Sequence, residues 1–404
     1  MMSYVKSGIF LVIVLVGGYF AWQYKSYYGA DEQPVVEVVG IQADQGFSGD
    51  IKATIKGSDS YKVASLQVNL DNEPWIKTMP IGRRSFTHEL EIATKELKQG
   101  HHKLSIVVES ASHKQLKTDL EIPFMIDRLP LQAALTKNEV DAQVYQGRTL
   151  HIEFQANKEI KQATVKTLSV SYPCYLKSNR GYTYECFVPI ECEEVAQEYP
   201  YTVELIDWAG ATLILEGKFK VVAFPFKKQA LRVDKEKIQQ ENKLGLPEKQ
   251  LEADIVELTK KSPQNKLWQG RFVVPLELTD KSQVTSDFGV IRATQERGLS
   301  QHKALDLIAY PKSVVWAPQD GRVVLKARYA HSGNTIGIDH GYGLLSLFFH
   351  LDSFADINVG DAIKKDQPLG TVGKTGYATG YHLHWEMRVN TVAVDPFEWT
   401  KENF

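Results

Sequence analysis

Cysteine is scarce in this chain. Three occur in 404 residues, Cys174, Cys186 and Cys192, all in one short stretch and far from most of the histidines. Any metal site elsewhere must therefore be built from nitrogen and oxygen ligands. A Cys174–Cys186 disulfide across the Ser178–Gly181 turn is open in an oxidising compartment, and so are three free thiols. Net charge is nearly absent as well, since 47 Lys+Arg against 49 Asp+Glu leave a formal −2. With no basic excess to neutralise phosphates, nucleic acid is excluded as a partner. The N-terminus also lacks a clean small-x-small cleavage site, because Tyr28-Gly29-Ala30 puts a bulky ring where a small residue is needed.

That last absence bears on the apolar run Ser7–Trp22, which lies between Lys6 and Lys25. The run is a little short of the about 20 residues a bilayer asks for. Tyr19, Trp22, Tyr24, Tyr27 and Tyr28 gather at its far end like an interfacial belt. Residues 1–30 therefore read as an uncleaved transmembrane anchor in inner-membrane lipid, with a cleaved signal peptide as the other reading. Either sends the rest across a membrane, into the periplasm or extracellular envelope.

The remainder has the composition of a globular protein able to bury cores, 43% hydrophobic and 24% charged. Its length suits roughly two to four domains. Residues 31–127 alternate β-formers in short runs such as Ile51–Ile55, Ser65–Leu70 and Leu104–Val108, with turn residues between them. Residues 128–226 repeat this pattern and close in the same way, with Tyr201–Ile206, the turn Asp207–Gly210 and Phe219–Val222. The style resembles bacterial immunoglobulin-like domains, so two β-sandwich modules are expected. Residues 227–270 change character. Charge is dense, and Pro247 precedes Leu251, Ile255 and Leu258, one face of a helix. This segment reads as a helical linker that docks loosely.

From residue 271 to 404 strands return, with glycine at turn after turn. This last third also holds His302, His331, His340, His350, His382 and His384 of the chain's 11 histidines. His382 and His384 flank Leu383 after a glycine turn. In a strand, residues two apart share a face, so both rings look into one space, as a zinc site needs. His302 and Asp306 stand four apart, and His350 ends the apolar strand Leu345–Leu351. His331, His340 and the upstream pair His101-His102 read as turn residues. Glu386 and Arg388 read as an ordinary salt bridge on the His384 strand.

The order of these pieces is informative. Ser286-Asp287-Phe288-Gly289, His302-x-x-x-Asp306, Ala317-Pro318-x-Asp320-Gly321, Phe349-His350-Leu351, Val359-Gly360-Asp361, Gly370-x-Val372-Gly373-x-Thr375-Gly376 and His382-x-His384 follow one another. The succession resembles the lysostaphin/LytM-type zinc metallopeptidases, which cut peptide bonds in bacterial peptidoglycan. The resemblance implies a β-rich peptidase domain with Zn2+ held by His302, Asp306 and His384 and a fourth position left to water. It implies His350 and His382 as the catalytic pair, and peptidoglycan stem peptides as substrate. Ala304, Tyr381 and Trp385 depart from the commonest residues at their positions and are expected to alter the groove wall. Because some relatives lose ligands and only regulate other hydrolases, a non-catalytic envelope protein that binds cell wall or activates an amidase is the alternative. An enzyme directed at a protein substrate is a third.

Overall fold

The structure, a computed structural model, describes residues 18–136, 142–230, 248–277, 283–294 and 298–404. Most of the expected anchor, at 1–17, lies outside the described residues, as does 231–247 of the expected linker. Residues 18–28 are helical, and no described helix is long and apolar enough to cross a membrane. The described chain is mainly β. It divides into two compact units, Met1–Leu131 with Ile206–Thr212, and Gln132–Leu205 with Leu213–Phe404.

In the first unit the described strands form one six-stranded sheet. Its two longest strands, Ile51–Leu70 and Glu73–Ile92, run 20 residues each. The sequence pattern instead breaks the first of these at Gly57-Ser58-Asp59-Ser60. The difference has a packing cause: a Cβ on Gly57 would sit 2.1 Å from the Phe86 ring of the paired strand. That glycine marks a close approach, not a turn. His101 and His102 lie in the strand Gly100–Ser110 and not on a solvated turn. The His102 ring bonds Asp71 Oδ2 at 2.6 Å and stacks on Phe124.

In the second unit, residues 133–222 supply a five-stranded and a four-stranded sheet, and the residues after 283 supply an eight-stranded sheet. The second module does not end at a free linker. Phe187 and Cys192 lie in one buried cluster with Trp268, Phe272, Trp385 and Trp399. Tyr175 stacks on Tyr342 with centroids 4.0 Å apart, and Arg148 pairs with Asp395 at 2.7 Å. Cys174, Cys186 and Cys192 are all free thiols.

The central strands of the eight-stranded sheet run antiparallel in the order Gln283–Ser286, Leu305–Ile308, Leu383–Val389, Leu344–Leu351, Gly333–Asp339 and Gly321–Tyr329. Alternation gives it two unlike faces. Leu305, Leu307, Leu383, Trp385 and Met387 turn to the main core and are fully buried. The other face carries Asp306, His384, Glu386 and Arg388 beside Leu345, Leu347 and Phe349. The helix Glu248–Lys260 packs on the apolar part of that second face, burying Leu251 and Ile255 against Leu325, Leu345, Leu347 and Phe349. The helix is thus part of the fold and not loosely docked, because residues four apart on one helix face meet an apolar strip of matching width.

Ile255 is 0% exposed, so Ile255→Ala is expected to cost about 2–5 kcal/mol. Urea unfolding checks it: the midpoint should fall with an unchanged slope.

Candidate metal centre

Strand register builds the centre. Asp306 lies opposite His384, and His384 opposite Phe349, across three adjacent strands. The His384 ring stacks on Phe349, centroids 5.0 Å apart and 8° from parallel. His302 enters from just before the Leu305–Ile308 strand. Asp306 Oδ1 then stands 3.2 Å from His302 Nε2 and 2.9 Å from His384 Nδ1, and those nitrogens are 3.4 Å apart. Ligands set tetrahedrally at about 2.0–2.1 Å from a zinc ion lie roughly 3.3 Å from one another, so the three atoms fit such an ion. Side-chain exposures of 3%, 13% and 17% for His302, Asp306 and His384 leave the cluster open only from one side.

Each of the three is also held from behind. His302 Nδ1 donates to Asp287 O at 3.1 Å, which leaves the Nε2 lone pair for the cluster. Arg292 donates to Asp306 Oδ2 at 3.0 Å, leaving Oδ1 to face the imidazoles. His384 Nε2 faces Glu386 Oε1 at 3.4 Å, and Glu386 Oε2 accepts from Arg388 Nε at 2.9 Å. Glu386 therefore serves the histidine and the arginine together, more than the salt bridge expected from the sequence. Such carboxylate–histidine contacts fix the tautomer and raise ligand basicity.

The electrostatics match this wiring. Burial opposes the charge on Asp306, but the bonds from His302 and His384 outweigh it and hold the carboxyl far below its usual range. Burial likewise opposes a charged His384, yet Asp306 and Glu386 raise it to about 9. Burial lowers His302 despite Asp306. Without an ion the Asp306–His384 pair shares a proton, and a bound cation takes that proton's place.

His350 and His382 flank the cluster. In regular alternation His350 would point away from the side that Phe349 faces. A bulge sets Phe349 and His350 against the single residue Thr335, and His350 takes φ of 61°. Its ring thereby lies 5.9 Å from His384 and 4.8 Å from His382, centroid to centroid. One loop orients both rings: His350 Nδ1 donates to Thr375 O at 2.9 Å and His382 Nδ1 to Gly380 O at 3.0 Å. Both Nε2 lone pairs are then free, and His382 Nε2 lies 3.8 Å from Asp306 Oδ1. Burial, with the neighbouring His384 and His382, pushes His350 down to about 3, so it is neutral at physiological pH. Gly373 lets the chain pass this close, since a Cβ there would meet Asp352 N at 2.2 Å.

The other candidates lie elsewhere. His340 is fully buried between Asp320 O and Ser346 Oγ, and is structural. His331 stacks on Tyr377. Ala304 and Trp385 are 0% exposed and so form no groove wall; among the three departures only Tyr381, beneath Lys374, lies near the surface. Among the described residues, a second group of suitable ligands is His151, Glu153 and Glu185. There Lys177 contacts both carboxylates and Lys266 lies 3.8 Å from Glu185. Two ammonium groups already supply the positive charge. The motifs did not reveal Arg292, Thr375 or Gly380 in these supporting parts, because hydrogen bonds to backbone carbonyls and to oxygens behind a ligand leave no spacing signature; the two-residue spacing of Glu386 from His384 does place it on the same strand face.

Residues 300–396 match the model of peptidase family M23. The C-terminal part of the chain carries an M23 domain. The peptidoglycan DD-endopeptidase ShyC of Vibrio cholerae is 31% identical over 118 residues, 29% of this chain and 27% of that one. The DD-carboxypeptidase/endopeptidase Mpg of Neisseria meningitidis is 35% identical over 95 residues, 24% and 22% of the two chains. The chain thus spans about a quarter of the length of these relatives. Among solved structures, lysostaphin from Staphylococcus simulans is 31% identical, with a TM-score of 0.24 over 25% of this chain and 44% of that one.

The M23 domain is expected to take up about one equivalent of divalent metal, measured by elemental analysis of the full chain. His384→Ala and Asp306→Ala should abolish uptake, while His350→Ala should leave it nearly intact. Equal loss in His350→Ala would move His350 into the ligand set.

Proposed function

We propose that the chain is a zinc-dependent endopeptidase that hydrolyses the peptide cross-links of bacterial peptidoglycan. The observation that carries the reading is the meeting of one carboxylate and two imidazoles with two further histidines, the His350 ring 5.9 Å from His384 and His382 Nε2 3.8 Å from Asp306 Oδ1. Three ligands and an open side are the pattern of a catalytic centre, whereas structural zinc sites are closed by four protein ligands. The peptidoglycan substrate comes from the relatives, ShyC and Mpg, whose names describe them as acting on such bonds.

In this reading His302, Asp306 and His384 hold Zn2+, which supplies Lewis acidity and a more acidic water at neutral pH. The chain's own groups do the rest. His350 and His382 stand beside the cluster, and either can accept the proton of an attacking water at Nε2. The ring that has taken the proton is then an imidazolium, whose Nε2–H can donate to the developing oxyanion before the proton passes to the leaving amine. Thr375 O and Gly380 O keep both rings in the tautomer this requires. Glu386 and Arg292 keep the ligand side chains aimed.

The apolar run at Ser7–Trp22 supports an inner-membrane tether with the later residues in the periplasm or extracellular envelope. Residues 31–127 and 128–226, read as immunoglobulin-like modules, lie between that run and the proposed catalytic part in the sequence, as a stalk would.

Incubation of the full chain with purified cell wall, followed by mass spectrometry of the released muropeptides, tests the proposal. Cross-linked dimers should decline and monomers appear, and chelator or His382→Ala should slow this at least 100-fold. Cleavage of casein with the wall left intact would redirect the enzyme to protein. Zinc uptake without hydrolysis of either would favour the non-catalytic envelope protein.

A further inference from the structure

The contacts behind His384 do not stop at Arg388. The guanidinium of Arg388 forks onto Glu252 of the helix Glu248–Lys260, Nη2 to Oε1 at 2.7 Å and Nη1 to Oε2 at 3.0 Å. The fourth bond of Arg388, from Nη1 to Thr391 O at 3.0 Å, ties it to its own hairpin. A continuous line of bonds therefore runs from His384 through Glu386 and Arg388 to a helix that lies outside the residues matching the M23 model.

The geometry points to Glu252 as a positioning residue for His384, so that the upstream helix is a working part of the metal centre. This rests on His384 being a metal ligand.

Two physical effects make the link count. The first is orientation. The bidentate fork fixes the guanidinium plane, and with that plane fixed only Nε faces Glu386. Without Glu252 only the bond to Thr391 O opposes rotation of the guanidinium to take both oxygens of Glu386. Oε1, already a long 3.4 Å from His384 Nε2, would then be drawn away. The second is charge. Arg388 and Glu386 have side-chain exposures of 11% and 8%, so their attraction is weakly screened. Glu252 shares the arginine's charge and leaves more negative density on Glu386 for the imidazole N–H. Both effects make His384 a stronger ligand.

The helix is placed for this by other contacts. Leu251 and Ile255 seat it on the sheet, and Asp254 Oδ2 accepts from Tyr329 OH at 2.6 Å. These supply a control: Asp254→Asn loosens the seat without touching the line to His384. Glu257, which is exposed and pairs with Lys260 at 2.7 Å, supplies a second.

The test uses the full chain and measures zinc affinity by competition with a chromophoric chelator, together with the visible spectrum of the cobalt-loaded protein. Glu252→Gln should weaken zinc binding about 10-fold, the low end for groups that orient a ligand, and shift the cobalt bands. Glu252→Asp should recover part of the affinity. Glu257→Gln should match the parent, and Asp254→Asn should lower the melting temperature while leaving affinity and spectrum alone. Glu252→Gln combined with Glu386→Gln should bind no more weakly than Glu386→Gln alone, because both interrupt one line. Parent-like affinity in Glu252→Gln, or an equal loss in Asp254→Asn, overturns the proposal. A parent chain that binds no zinc overturns the metal reading itself.

Discussion

One oxygen atom organises the histidine cluster at the C-terminal end of this protein. Oδ1 of Asp306 faces His302, His384 and His382 at 3.2, 2.9 and 3.8 Å. A carboxylate this poorly hydrated is costly unless its charge is met; Arg292 donates to its Oδ2 at 3.0 Å, and strand pairing brings His384 to within 2.9 Å of Oδ1. The alternation Leu305-Asp306-Leu307 and Leu383-His384-Trp385 puts the polar residues on one face and fully buried side chains on the other. The register of the core thereby sets the register of the cluster. A slip of one residue would send Asp306 into the core and Leu305 into the site.

The two flanking histidines depend on a different device. His350 cannot reach the cluster by alternation, because Phe349 already holds that face against the His384 ring. The bulge at φ of 61° solves the conflict at the cost of local strain. The strain is tolerated because His350 N donates to Ser332 O, its ring is pinned to Thr375 O, and Gly373 gives the neighbouring chain room. Thr375 is fixed in turn by accepting from Asn334 N and donating to Leu351 O. A strained position next to reactive groups is where such strain is commonly found, and here it has a visible purpose.

These two devices also explain what could be read from the sequence and what could not. His302, Asp306, His350, His382 and His384 were visible because each sits in a short motif, but strand periodicity accounts only for the His382-x-His384 pair; His302 precedes its strand and His350 reaches the cluster through a bulge. Their roles come from resemblance and remain proposed. Arg292 and Glu252 were invisible, since each meets its partner across many residues of chain and carries no local pattern. Glycine misled in the opposite direction. Gly57 reads as a turn, yet it lies within a 20-residue strand where the Phe86 ring needs its missing side chain. Sequence records that a side chain is absent but not which neighbour takes the space.

The hardest feature to read was where the M23 part begins. Motif content starts near Ser286, and a charged segment before it looks like a dispensable connector. Physical dependence starts earlier. The polar face of the sheet is only half polar, and Leu345, Leu347 and Phe349 need a cover that nothing after Ser286 provides among the described residues. The Glu248–Lys260 helix covers them, and the face it covers is the one that holds His384. An element placed there for hydrophobic reasons comes within bonding reach of the groups behind the ligand, and Glu252 uses that proximity. On the far side of the sheet, Phe187 of the second module sits in the same core as Trp385, the residue next to His384. The boundaries that matter for the centre are therefore set by which surfaces must be kept from water, and both partners that do so lie upstream of every motif.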